Sequence, residues 1–385
     1  MTIEEVPVTN AAAGGEPMTA AAADPKPLAP PRARLIAPTR LAVIVALLAF
    51  AMFVLPNLVD LRWLLVATSV VIYTVIMLGL GLLIGRVGLV SLCQFVLFAI
   101  GAWVSLRLHY LTSLPLPLVV LIAGLVTAVI GVLIGLPALR LSGLYLALIT
   151  LMAAGGLTVV LARLQFPNGG DGFSGNSRAG GSTSRLPRPS MALGDVAYFR
   201  YCVVVAIVMF LIAAWHVRGR AGRAWAAIRQ SEVTALAAGV NTTLYKLWAF
   251  ALASFMAGIG GGLLAAAKGG VSINQFPVQN SVILLAVVMM GGVLNLWGAV
   301  VAGVLYKLLP ELLDNWGVST EWSTILFGIG VLQVLLTAPG GISDQMPRDL
   351  AKLARKLRGL VVRHSPDPAG ATDATAAAAA AEGHA

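Results

Sequence analysis

The chain has 385 residues, of which 58% are hydrophobic and 11% charged, and its mean hydropathy is +0.89. These values exclude an ordinary soluble globular protein and predict a polytopic membrane protein, because each crossing of the hydrocarbon takes about 20 apolar residues. The net charge of +10 does not predict nucleic-acid binding, since no basic segment is interleaved with aromatic residues. Positive charge beside membrane spans is the simpler cause.

Residues 1–40 are rich in alanine and proline and contain no apolar run, so we predict a disordered arm. The membrane domain then covers 41–338, an all-α integral membrane fold with about ten transmembrane helices in two internally related halves. A Gly/Ser/Pro-rich loop at 165–195 separates the halves. The predicted spans are 41–59, 64–85, 89–107, 116–136, 141–161, 199–215, 247–267, 276–292, 293–309 and 322–337.

The stretch 276–309 is divided because a single helix of that length would be about 51 Å long, which is too long for one crossing. Gly291, Gly292 and Asn295 lie near its middle, where glycine makes a break cheap. A similar pattern of span, glycine turn, short polar segment and Gly/Ala-rich span occurs at 80–104. Duplicated transporters place broken or re-entrant helices at corresponding positions. Close helix packing through small residues is the alternative reason for these glycines.

The distribution of Lys and Arg supports ten spans, because cytoplasmic loops of membrane proteins are enriched in these residues. With the N-terminus inside, 17 of the 26 Lys and Arg residues fall on the inner side. The acidic residues Glu311, Asp314 and Glu321 then fall outside. A nine-span arrangement would place the basic tail outside. We therefore predict that both termini are cytoplasmic.

No acidic residue occurs between Asp60 and Asp171 or between Glu232 and Glu311. Ion-coupled carriers commonly use intramembrane carboxylates, so this absence argues against ion coupling, although backbone carbonyls also bind sodium. The four histidines lack metal-ligand spacing, no nucleotide-binding glycine loop is present, and the two cysteines lie in apolar runs. We expect no cofactor, no metal and no catalytic residue, and an energy source on another polypeptide. An autonomous secondary carrier and a membrane-embedded enzyme are the rival classes.

One polar break, 218–246, carries helical periodicity. Ser231 is a good N-cap, Glu232 suits the positive end of a helix, and Gly239 is a good terminator. These signals predict a helix of about two turns that ends at Ala238. So short a helix is marginal in water, which favours docking on a partner. The simpler role for the four surrounding arginines is to bind lipid headgroups or to fix the membrane topology. They are Arg218, Arg220, Arg223 and Arg229.

Several stretches resemble one family. Residues 223–241, RAWAAIRQSEVTALAAGVN, look like the cytoplasmic coupling loop of branched-chain amino acid ABC transporter permeases. The resemblance covers about residues 60–345 in order, and it is specific to the type with a long central extracytoplasmic loop. Further matches are YKLWAFALASFMAGIGGGL from Tyr245, LYLALITL from Leu144, the Gly169–Gly170 pair before Gly172, GGVLNLWG from Gly291, and PGGI from Pro339.

The resemblance implies a permease subunit of an importer driven by ATP hydrolysis elsewhere. Its implied partners are a homologous second permease, two cytoplasmic ATP-binding subunits and an extracytoplasmic substrate-binding protein. By the same resemblance, the ATPase-coupling loop comprises Arg223, Arg229, Ser231, Glu232, Ala235 and Gly239. No covalent chemistry is expected in this chain.

One segment departs from the family pattern, because Gln94 stands where a histidine is common. Permeases for urea and short amides are similar to this family, so they remain the alternative to branched-chain amino acids. We predict that Ser91, Gln94, Asn295 and Trp297 lie near the translocation path, since they are polar or amphipathic residues at matching breaks. Helix capping or interface packing is the alternative role for each.

The tail, 339–385, begins with a basic segment whose leucines recur at helical spacing. This pattern predicts an amphipathic helix on the inner membrane surface, in contact with lipids, followed by a disordered alanine-rich end.

Overall fold

The computed structural model describes residues 50–112, 114–139, 141, 143–163, 188–189, 192–317, 322, 325–326, 328–330 and 341–343. All of them belong to the unit that begins at Phe50. The predicted arm and residues 41–49 of the first predicted span lie outside these residues, as do most of the central loop, the tenth span and the tail.

Secondary structure in the described part of the chain is helical throughout, which agrees with the predicted all-α fold. After the short helical segments Phe50–Val54 and Leu55–Leu58, the helices are α1 (Leu61–Leu82), α2 (Gln94–Leu111), α3 (Leu116–Ala138), α4 (Leu144–Arg163), α5 (Asp195–Arg218), α6 (Arg220–Gln230), α7 (Glu232–Ala237), α8 (Thr242–Lys268), α9 (Gln279–Gly291) and α10 (Gly298–Asn315).

Among the described residues, six helices are long and apolar enough to cross a membrane: α1, α2, α3, α4, α5 and α8. Each corresponds to a predicted span, and two of them, α5 and α8, extend beyond it at both ends. For example, α5 runs from Asp195 to Arg218, whereas hydrophobicity predicts 199–215. Hydrophobicity marks the part of a helix in the hydrocarbon, while backbone caps such as Gly219 decide where the helix ends.

The core is built around α8, and 89% of its most apolar stretch is buried, against 28% for α4. Glycines on α8 allow α2 to approach closely, because a Cβ on Gly261 would lie 2.7 Å from the backbone nitrogen of Ala102. Helix α8 is thus surrounded by protein, and α4 leaves most of its surface uncovered by the described chain.

Two breaks with the same layout interrupt the fold. In the first, α1 continues as a π-helical turn, Leu83–Val87, and closes at Gly88 with φ +84°; α2 starts at Gln94. In the second, α9 ends at Gly291, Gly292 has φ +109°, and α10 starts at Gly298. Five residues follow the glycine in each case, and the sequences correspond as GLVSLCQ and GVLNLWG. The predicted break within 276–309 is therefore confirmed. Neither α9, which has 13 residues, nor α10 is among the six helices above, so the prediction that each is a membrane span stays a prediction.

The first break is a re-entrant turn. A Cβ on Gly79 would lie 2.9 Å from the carbonyl oxygen of Ala253 on α8, and Gln94 Nε2 donates to that same oxygen at 2.6 Å. The chain therefore passes Ala253, runs on to Gly88 and returns to the level of Ala253 before α2 begins.

Two sets of contacts mark the opposite ends of α1. At its start, Arg62 pairs with Glu311 at 2.9 Å and with Asp314 at 3.3 Å. At the other end, Arg229 of α6 donates a hydrogen bond to the Gly85 carbonyl. The acidic residues of α10 and the basic segment around α6 thus lie at opposite ends of α1, as the charge distribution predicts.

Candidate functional site

Helix α6 is anchored to the bundle by its apolar face. Trp225 is completely buried, and its Nε1 donates to the Tyr245 carbonyl at 2.8 Å. The Trp225 ring stacks on His216 with centroids 6.4 Å apart, and Ile228 is buried one turn further on. Because Trp225 and Ile228 share one face, the charged residues of α6 are left on the outside.

Helix α7 is capped at both ends, as its sequence predicts. Ser231 Oγ accepts from the Thr234 backbone N–H at 3.3 Å, which makes Ser231 the N-cap. At the other end, Gly239 has φ +78°, its N–H bonds to the Leu236 carbonyl, and the Val240 N–H bonds to the Ala235 carbonyl. These two bonds form a Schellman motif, in which glycine takes the left-handed position. The helix ends one residue earlier than predicted, at Ala237.

Contacts within the chain hold α7 in place. Lys246 Nζ, on α8, lies 2.6 Å from Glu232 Oε2, and the lysine side chain is only 9% exposed. Ala235 is buried at 1% exposure. Glu232 therefore has an intrachain partner, and α7 is tied to α8 within the chain.

What remains uncovered on α7 is apolar. Val233 is 77% exposed and Leu236 is 54% exposed, while Arg223 is exposed on the neighbouring α6. Exposed apolar side chains on a capped helix, next to a helix that carries exposed cationic residues, are typical of a surface that another protein covers.

The first break is locked inside the protein. Ser91 and Gln94 are each 1% exposed. Ser91 Oγ lies 3.2 Å from Cys93 Sγ, and the Leu92 N–H donates to Thr150 Oγ1 at 3.0 Å. Gln94 Nε2 is bonded to α8, whereas its Oε1 has no hydrogen-bond partner among the residues that the structure describes.

The second break is more open. Asn295 Oδ1 accepts from the Trp297 N–H at 3.3 Å, and Trp297 is 40% exposed with its ring 5.9 Å from that of Phe210. Asn295 also lines a shallow cleft that is open to the surroundings and encloses about 10 Å³, which is room for about one water molecule. The cleft has apolar walls and two polar groups, and its lining includes Leu78, Leu82, Val288, Ala299, Arg86 and Asn295.

The four predicted path residues lie in the two equivalent breaks, two in each, rather than around one cavity. Ser91 and Asn295 occupy the same position after the glycine of each break, and each interacts with the residue two positions further on. Asn295 borders the cleft, and neither Ser91 nor Gln94 does.

Sequence reasoning missed three residues that organise these sites: Trp225, Thr150 and Gly85. The spacing of Ala221, Trp225 and Ile228 would have indicated a buried face on α6. No comparable signal marks Thr150 or Gly85, because their partners are distant in sequence. In the described ranges, no group of three His, Cys, Asp or Glu side chains forms a metal site, and both cysteines are buried and free.

Comparison with known proteins identifies the family. The protein-family model described as "Branched-chain amino acid transport system / permease component" matches residues 63–335. The high-affinity branched-chain amino acid transport system permease protein LivM of Salmonella typhimurium is 31% identical over 295 residues, which cover 72% of this chain and 69% of the relative. LivM of Escherichia coli is 30% identical with the same coverage. No solved structure matches the chain. The chain therefore belongs to the family of permease components of branched-chain amino acid transport systems.

Proposed function

We propose that the chain is the permease subunit of an importer that carries branched-chain amino acids across the cytoplasmic membrane and is driven by a separate ATPase. The observation that carries this proposal is the family match along residues 63–335, which includes both breaks and the α6–α7 segment. Its partners are a second, homologous permease, two ATP-binding subunits and an extracytoplasmic substrate-binding protein.

The proposed topology has ten spans, with both termini and the α6–α7 segment on the cytoplasmic side. It is supported by the excess of Lys and Arg on that side and by the position of Glu311 and Asp314 at the far end of α1. The domain limits are those expected from the sequence: an arm at 1–40, a membrane domain at 41–338, an ATPase-coupling loop at 218–246, and a basic tail at 339–385.

The coupling role of the α6–α7 segment is supported by its rigidity and its uncovered surface. Because Trp225 and Lys246 fix the two helices to the bundle and Ser231 caps α7, a push on α7 moves the bundle instead of bending a loop. Val233, Leu236 and Arg223 are the side chains that present themselves to an ATPase.

The proposed path runs along the breaks, with Ser91, Gln94, Asn295 and Trp297 beside it. The shallow cleft at Asn295 supports this through its chemistry, because apolar walls with an amide and a guanidinium suit a small molecule that is apolar at one end and polar at the other. The cleft has to widen before such a molecule enters. Both relatives are named for branched-chain amino acids, which favours these substrates over urea or short amides.

Val233→Asp tests the docking surface. The residue is 77% exposed, so the substitution leaves the fold intact while placing a charge on the apolar patch. We expect co-purification of the ATPase subunit to fall by about tenfold or more. Asn274→Asp adds the same charge at an exposed position outside α6 and α7, and should leave co-purification unchanged. Undiminished co-purification with Val233→Asp would refute the docking surface, and a wild-type chain that brings down no ATPase would refute the proposed function.

A further inference from the structure

The C-terminal end of α1 is closed by a residue from another part of the chain. The last carbonyls of a helix have no partner within it and form its negative end. Here the Leu83 and Ile84 carbonyls accept from the N–H groups of Leu89 and Gly88. The next carbonyl, that of Gly85, accepts from the Arg229 guanidinium, so the last residue but one of α6 caps α1.

The aliphatic part of the Arg229 side chain also packs against the first break. A Cβ added to Gly88 would be 3.7 Å from Arg229 Cγ, an ordinary van der Waals distance. The aliphatic part of Arg229 therefore packs at the glycine that begins the first break, while its guanidinium holds the turn before it.

Gly85 also touches the second break. A Cβ on Gly85 would lie 2.6 Å from the carbonyl carbon of Val293 and 3.3 Å from its Cβ, so no larger residue fits there without displacing Val293. Val293 is the first residue after Gly292. Gly85 is thus the place where α6, the first break and the second break meet.

Within the described residues, Arg229 makes the single side-chain hydrogen bond from α6 or α7 to α1 or to either break. Two other side-chain hydrogen bonds join these helices to the bundle, and both involve α8: Trp225 donates to the Tyr245 carbonyl, and Lys246 donates to Glu232. The α6–α7 segment is therefore fixed to the bundle through α8 and joined to the breaks through Arg229.

We propose that Arg229 is the positioning residue that transmits movement of the α6–α7 segment to both breaks, by holding the Gly85 junction, and that it is not a contact for the ATPase. This inference rests on the proposed function, because it assumes that an ATPase moves the segment. It changes the expected role of Arg229 from docking to transmission. Arginine suits the role because its planar fork grips a carbonyl in a fixed orientation, whereas lysine is a flexible point charge.

The test uses the complete transporter in proteoliposomes, with radiolabelled leucine delivered by the binding protein, and measures ATP hydrolysed and leucine taken up. With Arg229→Ala, we expect the ATPase to co-purify and hydrolyse ATP as with the wild type, while leucine uptake falls by about tenfold or more. Arg229→Lys should recover part of the uptake. Arg220→Ala removes an exposed arginine from the same helix and should behave as the wild type.

The outcomes separate the inference from the function on which it rests. Uptake per ATP that is unchanged in Arg229→Ala would overturn the inference, and so would a loss of ATPase co-purification, which would make Arg229 a docking residue. If the Arg229→Ala chain does not fold, Arg229→Lys decides, since a folded transporter with full coupling would show that the fork is not needed and overturn the inference. A wild-type chain without an associated ATPase would instead refute the proposed function.

Gly85→Ala gives a second, independent measurement, because its Cβ would push Val293 away without touching the charge of Arg229. We expect the same loss of uptake per ATP. Gly156→Ala, on α4, has no neighbour within 4 Å of the added Cβ and is the matched control. Normal coupling in a stable Gly85→Ala transporter would contradict the proposed junction.

Discussion

The two breaks share a layout but differ in their surroundings. Both consist of a glycine with positive φ, five further residues and the start of a helix. The first is buried, with Leu92 bonded to Thr150 and Gln94 bonded to Ala253. The second contains the half-exposed Trp297 and borders a cleft.

This difference indicates that the two breaks are held in different ways. Bonds to α4 and α8 hold the first break as a fixed joint. The second break, in contrast, is capped within itself by Asn295 and packs closely against Gly85 and Gly341, with a shallow cleft beside Asn295.

The largest expected effect comes from the two glycines, because their backbone conformations differ. Gly88 has φ +84° and ψ 18°, a left-handed conformation that alanine adopts at a cost of about 1 kcal/mol. Gly292 has φ +109° and ψ 112°, which is sparsely populated for any other residue and should cost alanine about 3 kcal/mol. Gly292→Ala should therefore lower the free energy of unfolding of the purified protein in detergent more than Gly88→Ala. Equal losses would contradict the structural distinction between the breaks.

Thr150→Val probes how firmly the first break is held. The substitution leaves the buried Leu92 N–H without its acceptor, which should cost about 1–3 kcal/mol in the free energy of unfolding. Thr158→Val, on the same helix, removes a hydroxyl that bonds only to its own helix at Ala154, and should cost about 0.5 kcal/mol or less. Denaturation of the two variants side by side measures the difference. If Thr150→Val is as stable as Thr158→Val, the first break is not fixed by α4.

A substitution at Asn295 should have the smallest effect on stability, and it separates a capping role from a role in transport. Asn295→Asp keeps an acceptor for the Trp297 N–H, so the free energy of unfolding should change by about 0.5 kcal/mol or less. If Asn295 lies beside the path, the new negative charge at the cleft should still reduce leucine uptake. Asn280→Asp, on α9, is the control and should transport normally. Normal uptake by Asn295→Asp would leave Asn295 with a capping role only.

The predictable parts of this molecule are those encoded locally. The ends of α7 follow from Ser231 and Gly239, whose capping chemistry involves residues a few positions away. The break at Gly292 can be predicted because an unbroken helix over 276–309 would be longer than the membrane is thick. By contrast, Gln94 meets Ala253 and Arg229 meets Gly85 across more than a hundred residues, and no local rule relates such positions. The expectation that α7 docks on a partner rests on the length of the helix, and local rules do not reveal the ion pair with Lys246, which comes from the next helix.

The central claim is that this chain moves a branched-chain amino acid only when a separate ATPase drives it. The most direct measurement is uptake of radiolabelled leucine into proteoliposomes that contain either the complete transporter or this chain alone. We predict uptake that requires internal ATP, the ATPase subunits and the binding protein, and that is unaffected by collapsing sodium and proton gradients. Leucine uptake by this chain alone, driven by an ion gradient, would contradict the claim, as would a complete transporter that carries urea and not leucine.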